Sequence, residues 1–267
     1  MNATIPYDPR RFRTAAAHYL AGRPPYADLL IRRVAAACGL QPDSRVLDLG
    51  CGPGPLAVAF ARLAGEVVAV DPEPEMLRAA AANAAAAGIA IRLRQGSSYD
   101  LDASLGNFRL VAIGRAFHWM QRADTLARLA RLVEPDGAVA LFADRHPDVP
   151  DNRWRQDYEA LVGRYVADDS VHRLRKSADW VRHEAVLLDS SFSQLERMSV
   201  IERRRVPVDS LVHRVRSMST TSEDRLGPRT EALAEEIRAA MSRLASDGLI
   251  IEVVESEALL ARRPGAA

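Results

Sequence analysis

The middle of the chain alternates between short, continuous apolar runs and segments in which apolar residues recur at a helical spacing. Continuous apolar runs bounded by turn residues are typical of strands that are buried on both faces. Apolar residues that recur every three or four positions indicate helices with one buried face. The predicted strands of this part are 45–49, 66–70, 89–93, 108–113 and 139–143, and the predicted helices between them are 56–63, 73–87 and 126–133.

Strands that alternate with helices in this way predict an α/β fold with a parallel sheet covered on both faces. Right-handed crossovers then give a doubly wound, mainly parallel sheet. In such sheets, ligands bind outside the carboxyl ends of the strands. We therefore expect the functional residues in the loops that follow Leu49, Val70, Gln95, Ile113 and Ala143.

The pattern changes after the fifth strand and predicts a helical cap. Trp154, Tyr158 and Leu161 form a helical stripe, residues 196–206 form a strand, and residues 249–261 form a final strand or hairpin arm, which brings the sheet to seven strands. We expect four parts: an N-terminal helical lid at 1–40, a doubly wound α/β core at 41–145, a helical cap insertion at 146–190, and a completion of the sheet at 191–267.

Composition narrows the class of protein. The 267 residues are 48% hydrophobic and 27% charged, which is ordinary for a globular enzyme. The net charge of +1 argues against binding to nucleic acid, because neutralising phosphates requires a basic surface. No apolar stretch approaches the roughly 18 residues of a membrane helix, and the N-terminus has no signal-peptide pattern. We expect a cytoplasmic, bacterial protein with a small-molecule substrate and no metal, and a homodimer is compatible with the sequence.

The strongest chemical signal is the segment 46–54, with the sequence VLDLGCGPG. A strand runs into alternating glycines and then into a helix, so the backbone can approach a ligand closely. The third glycine of the dinucleotide pattern is missing. Asp48 precedes the loop, where its carboxylate suits a cationic ligand or caps backbone N–H groups. Asp71 ends the second strand, where a carboxylate can accept hydrogen bonds from ribose hydroxyls.

The segment closely resembles the first motif of class I S-adenosylmethionine-dependent methyltransferases of the type 11 kind. The resemblance implies a Rossmann-like methyltransferase fold with S-adenosylmethionine as cofactor and S-adenosylhomocysteine as product. It implies cofactor contacts from Asp48, Gly50 and Gly52 at the methionine part, Asp71 at the ribose, Pro72 and Met76 at the adenine, and Ser97 or Ser98 at its amino group.

Two further segments, 19–26 and 114–120, are similar to a subgroup that includes trans-aconitate-type carboxyl methyltransferases. Arg115 is then a further candidate for cofactor contact. His118 is the candidate catalytic residue, as a base or as a group that orients the acceptor, and core packing is the alternative. Tyr19, Arg23, Trp119 and His146 are candidates to line the substrate site, and packing competes with that role for Tyr19 and Trp119.

These observations favour methyl transfer to an O, N or C nucleophile of a small organic acid or secondary metabolite. An NAD-dependent oxidoreductase is the alternative enzyme, because an acidic residue after a glycine loop fits both. Asp48 and the missing glycine count against it. A protein that binds S-adenosylmethionine without turnover is the alternative outside catalysis.

Overall fold

The protein is described by a computed structural model that covers residues 7–166, 173–175 and 177–265. Seven strands form one sheet. They are β1 (Arg45–Leu49), β2 (Glu66–Asp71), β3 (Arg92–Gln95), β4 (Phe108–Gly114), β5 (Val133–Arg145), β6 (Gln194–Pro207) and β7 (Leu249–Arg262). Their order across the sheet is β3-β2-β1-β4-β5-β7-β6. The predicted doubly wound, mainly parallel sheet of seven strands is confirmed.

Helices cover the sheet and extend beyond it. The α-helices are α1 (Ala16–Gly22), α2 (Asp28–Ala37), α3 (Pro55–Phe60), α4 (Pro74–Ala86), α5 (Arg122–Leu129), α6 (Trp154–Gly163), α7 (His183–Leu188), α8 (Val208–Arg216), α9 (Glu223–Leu226) and α10 (Arg229–Ser242). Within the described ranges, no helix is long and apolar enough to cross a membrane.

The direction of the strands creates the cleft. β1 pairs in parallel with both β2 and β4, while β7 runs antiparallel to β5 and β6. The chain winds outward from β1 through β2 to β3 and then returns to β4 on the other side of β1. Such a reversal opens a crevice at the carboxyl ends of the two central strands. Leu49 and Gly114, which end β1 and β4, therefore mark the position of the site.

Helix α2 belongs to the layer that covers the sheet and not to a lid. Leu30, Ile31 and Val34 of this helix are buried in the same apolar cluster as Val46 and Leu110 of the sheet. Within the predicted lid at 1–40, the apolar face of α2 therefore packs on the sheet. Only the segment that ends near Arg23 remains available to cover the cleft.

The cap is built from two parts of the chain. Trp154 and Tyr158 of α6 share an apolar cluster with Leu211 of α8 and with Leu233 and Ile237 of α10. The apolar cluster therefore extends beyond the predicted cap insertion at 146–190, because α8 and α10 lie between β6 and β7 in the chain. The apolar stripe of α6, in the segment 146–190, packs against α8 and α10.

Strand β5 begins earlier than the apolar pattern predicts. The stripe at 126–133 predicts one helix, but α5 ends at Leu129 and Val133 pairs with Phe108 of β4. The register shifts between Phe108 and Leu110, so an irregular ladder accommodates the turn residues Pro135 and Gly137 inside the strand. Pairing with β4 outweighs the helical spacing there. The region 249–261 likewise forms one strand and not a hairpin arm.

Candidate active site

The loop between β1 and α3 turns sharply at three glycines. Gly50, Gly52 and Gly54 have φ values of 69°, 54° and 73°, which side chains other than glycine rarely adopt. A Cβ atom on Gly50 would lie 2.7 Å from Cβ of Ala116, so no side chain fits between the two loops. The amide of Gly50 donates to the carbonyl of Val70 at 2.8 Å and ties the loop to the end of β2.

Asp71 is held by the glycine loop and by the residue that caps the start of α4. Its carboxylate accepts hydrogen bonds from the amides of Gly52 and Glu73, each at 2.9 Å. Burial raises the pKa of Asp71 to about 6, although the two amides oppose that rise. A carboxylate has about four acceptor positions. Two amides therefore leave capacity for further donors on a side chain that lines a cavity.

Asp48 does not border that cavity, which corrects its predicted position beside the methionine part. Its side chain is 1% exposed and accepts a hydrogen bond from the amide of Ala57 at 2.9 Å, in the first turn of α3. Burial raises the pKa of Asp48 to about 7. The alternative prediction, that Asp48 caps backbone N–H groups, describes what the structure shows. A contact of Asp48 with a ligand stays a prediction.

A cavity of about 1050 Å³ lies at the carboxyl ends of β1, β2, β4 and β5. Its size allows two small molecules to bind together, because pockets for one drug-sized ligand span roughly 300 to 1,000 Å³. Most of the candidate site residues line it. They are Tyr19, Arg23, Gly50, Gly52, Asp71, Pro72, Met76, Ser97, Ser98, Arg115, His118 and Trp119.

His146 lies outside the cavity wall, so its predicted position at the substrate is corrected. Strand β5 continues to Arg145, and the imidazole of His146 turns toward β7, where Nε2 lies 2.9 Å from Oε1 of Glu252. Glu252 is also bound by the guanidinium of Arg214 on α8, at 2.6 and 3.1 Å. The histidine thus belongs to a buried polar network that joins the cap to the sheet.

Ser97 and Ser98 follow β3 on the Asp71 side of the cavity. The Ser97 hydroxyl donates to the carboxylate of Asp100 at 2.8 Å and accepts from the amide of Tyr99 at 3.2 Å. It is therefore committed to a short capping turn. Met76 on α4 is buried and lines the same end. Contacts of these residues with a ligand stay predictions.

Arg115 connects the lid segment, the fourth strand and the fifth strand. Its φ is 54°, an unusual value for a side-chain-bearing residue. The guanidinium lies 4.4 Å from the ring centre of Tyr26, donates to the carbonyl of Pro24 at 2.7 Å, and pairs with Asp144. Burial opposes ionisation of Asp144, but the Arg115 charge outweighs it and lowers the pKa of that carboxyl.

His118 lies in a short turn after β4, beside the ring of Trp119 at a centroid distance of 4.6 Å. Burial lowers the pKa of His118 well below its usual value, and the charges of Arg175 and Arg122 lower it further. The imidazole is therefore neutral at pH 7. A group with such a low pKa is also a poor proton acceptor, because Brønsted behaviour favours a base whose pKa lies near the working pH.

Helix α1 lies against α8 and carries two cavity residues, Tyr19 and Arg23. Residues that the sequence reasoning did not select also line the cavity. They are Tyr7, Arg11 and Phe12 before α1, Arg175, Trp180 and His183 in the cap, and Met218, Ser219 and Thr220 after α8. These residues belong to no recognisable motif. Because the chain is rich in arginine, the sequence alone does not indicate which single arginine has a functional role. Only the turn signal Pro24-Pro25 indicated that the lid folds back.

Comparisons with known proteins agree with this geometry. Residues 46–137 match the family model of the methyltransferase domain. An uncharacterized methyltransferase of Mycobacterium tuberculosis is 28% identical, over 91% of this chain and 92% of that protein. Among solved structures, a candidate type II methyltransferase of Anaeromyxobacter dehalogenans has a TM-score of 0.62 at 20% identity, with 90% of this chain and 97% of that chain covered.

A second solved structure shares the fold over nearly the whole chain. It is a SAM-dependent methyltransferase of Thiobacillus denitrificans in complex with S-adenosylhomocysteine, with a TM-score of 0.51 at 18% identity and coverage of 98% of this chain and all of that one. The protein has the Rossmann-like methyltransferase fold and is a methyltransferase. The matched methyltransferase domain, residues 46–137, contains the glycine loop and Asp71.

Proposed function

We propose that the cavity binds S-adenosylmethionine and that the chain transfers the cofactor's methyl group to a small molecule. The observation that carries this proposal is the Asp71 carboxylate, fixed by two amides at the glycine loop and facing a cavity large enough for two ligands. The acceptor is an O, N or C nucleophile of an organic acid or secondary metabolite.

The residues present suit this cofactor. Asp71 has spare acceptor positions for the two ribose hydroxyls, and Gly50 leaves a cradle that a Cβ atom would fill. Pro72 and Met76 offer apolar surface to an adenine on the same side. When bound, the cofactor supplies a methyl group already activated by a sulfonium. The protein then has to align the acceptor and exclude water.

The chain's own residues serve those two tasks. The segment from Tyr7 to Phe12 and the residues Tyr19 and Arg23 line the side of the cavity opposite the sheet, which supports a role in excluding water. A neutral His118 beside Trp119 supports a role in orienting the acceptor. A general base is needed only where the acceptor must lose a proton before attack.

The proposed cofactor is tested by ligand-induced stabilisation. S-adenosylhomocysteine at about 100 times its dissociation constant is expected to stabilise the fold by roughly 2.7 kcal/mol and to raise Tm by a few degrees. NAD at the same concentration is expected to leave Tm unchanged. Differential scanning fluorimetry measures both. A shift with NAD alone would instead support the oxidoreductase alternative.

Turnover separates an enzyme from a protein that only binds the cofactor. Radiolabelled S-adenosylmethionine is incubated with fractionated small metabolites, and label in a methylated product is measured. The Asp71→Ala variant is the matched control, since it retains the acceptor side of the cavity. Cofactor binding with no labelled product from any fraction would favour the non-catalytic alternative.

His118→Gln is expected to reduce turnover by roughly tenfold or less. Glutamine keeps a hydrogen-bonding group of similar reach, and the low pKa of His118 makes it a poor base in the wild type. Single-turnover methyl transfer with the acceptor found in the screen measures the effect between pH 6 and 8. A loss above a thousandfold in folded protein, with a pH step that disappears in the variant, would establish base catalysis.

A further inference from the structure

The wall of the cavity around His118 is lined by basic side chains. Arg23 follows α1 directly, Arg175 and Arg182 precede α7, and His183 begins α7. Electrostatic influences on His118 come from Arg175, His183, Arg122 and Arg23, all of which lower its pKa. At the Asp71 end, Glu73 pairs with Arg10 at 3.2 Å, and the Asp71 carboxylate accepts from two backbone amides.

The carboxylates on the basic side already have arginine partners. Asp144 pairs with Arg115. Glu257 pairs with Arg145 at 2.9 Å and with Arg197 at 2.8 Å. Glu184 pairs with Arg197 at 2.5 Å. These acidic groups are consequently neutralised by cations other than Arg23 and Arg175.

Arg23 and Arg175 have no such partner among the residues that the structure describes. Within the part of the chain that the structure describes, no carboxylate lies within ion-pair distance of either guanidinium. Arg23 donates from Nη2 to the carbonyl of Ser217 at 3.2 Å and lies 5.5 Å from the ring centre of Tyr19. Its Nε is buried and has no hydrogen-bond partner. A desolvated guanidinium with an unused donor is costly unless an anion completes it.

A third cation supports the same end of the cavity from behind. The Arg122 guanidinium lies 4.1 Å from the ring centre of Trp180, donates to the carbonyl of Val181 at 2.6 Å, and lies 3.2 Å from Nδ1 of His183. Burial and the charge of Arg122 lower the pKa of His183 to about 4. The positive potential is thus produced by arginines and not by protonated histidines.

We propose that Arg23 and Arg175 bind an oxyanion, a carboxylate or phosphate group, on the methyl acceptor. The proposal rests on the proposed function and names the chemical class of its substrate. Guanidinium groups match the planar oxygen pair of carboxylates and the oxygens of phosphate. The oxyanion would accept a hydrogen bond from the buried Nε of Arg23 and place the acceptor beside His118.

The proposal is tested with simple anions on protein saturated with S-adenosylhomocysteine. Succinate and inorganic phosphate are the probes, and succinamide is the neutral counterpart of succinate. Isothermal titration is expected to show binding of at least one anion and none of succinamide. Tighter binding of succinate indicates an acceptor with a carboxylate, and tighter binding of inorganic phosphate indicates an acceptor with a phosphate group.

Variants locate the binding. Arg175→Gln and Arg23→Gln are each expected to weaken anion binding about ten- to a hundredfold, since a hydrogen bond to a charged group contributes roughly 1.5 to 3 kcal/mol. Arg175→Lys should retain part of it. The matched control is Arg33→Gln, which removes the same charge from an exposed position on α2, away from the cavity. The control should bind the anion like the wild type.

A second readout does not depend on affinity. A bound oxyanion offsets the arginine charges, so the pKa values of His118 and His183 are expected to rise in histidine NMR titrations, and not in Arg175→Gln. Equal binding of succinamide, or anion binding unchanged in both arginine variants, would overturn the proposal. If the wild-type protein binds S-adenosylhomocysteine but no anion, the oxyanion proposal is overturned and the proposed function stands. If the wild-type protein fails to bind S-adenosylhomocysteine, the proposed function is overturned.

Discussion

Replacing Asp71 with alanine is expected to weaken S-adenosylhomocysteine binding by about 2 to 4 kcal/mol, or roughly thirty- to a thousandfold. The substitution removes a charged acceptor for two hydroxyls. It also releases the amides of Gly52 and Glu73, which hold the glycine loop in place. The fold should persist, because Asp71 ends β2 at the cleft and not inside the sheet. Isothermal titration measures the affinity, and circular dichroism verifies folding.

The charge of Asp71 predicts a pH dependence of the same affinity. Burial raises its pKa to about 6, so the carboxylate that accepts hydroxyl hydrogen bonds is lost as the pH falls through about 6. Affinity in the wild type is therefore expected to weaken below that pH. Asp71→Asn is the control of nearly equal size, and its weaker affinity should vary less with pH. An unchanged pH profile in Asp71→Asn would assign the titration to another group, such as Asp48.

The sheet could be predicted because its strands are short, apolar and buried on both faces. Val46 pairs with Val67 and Leu110 in the sheet, and each of the three lies in a continuous apolar run of the sequence. The helical spacing of apolar residues up to Val133 predicted a helix that is too long, because such spacing describes local geometry alone. Val133 pairs with Phe108, a residue 25 positions earlier, and that contact has no signature in the local pattern.

The residues of the proposed cofactor side could also be predicted from the sequence, for a physical reason. The positive φ values of the loop require glycines, which therefore appear together in the sequence as a motif. The carboxylate of Asp71 follows at the end of the next strand, a fixed place in the same pattern. The acceptor side arises from separate segments, such as Arg23 near α1 and Arg175 in the cap. Arg23 is positioned where α1 packs against α8, a contact that local sequence does not reveal. His146 shows the same limit, since a longer β5 directs it to Glu252 instead.

Helix α1, in the predicted lid, is fixed to α8 by a close approach of two backbones. A Cβ atom on Gly22 of α1 would lie 2.4 Å from the amide nitrogen of Arg214 on α8. The Arg214 guanidinium donates from Nε to the carbonyl of Gly22 at 3.0 Å. One turn earlier, the Nδ1 atoms of His18 and His213 are 2.9 Å apart. The position of Tyr19 and Arg23 in the cavity depends on this contact between helices.

Gly22→Val is therefore expected to reduce turnover by up to roughly a hundredfold. Overpacking typically costs about 1 to 3 kcal/mol, and here the obstacle is backbone that cannot rotate away. That cost opposes docking of α1, which carries Tyr19 and Arg23, while the sheet and its helices are untouched. Methyl transfer per folded molecule measures the effect. Faster tryptic cleavage after Arg11 and Arg13 would report undocking independently of any acceptor.

The control for this variant is Gly163→Val at the end of α6, where an added Cβ meets no atom within 4 Å. It makes the same chemical change in a helix of the cap and should leave turnover and cleavage as in the wild type. Should Gly22→Val lower Tm but leave turnover per folded molecule intact, α1 would stabilise the cap without forming part of the site. Lost turnover with faster cleavage and a nearly unchanged Tm would instead establish α1 as a lid, because only a segment that docks on a finished fold can be released without unfolding it.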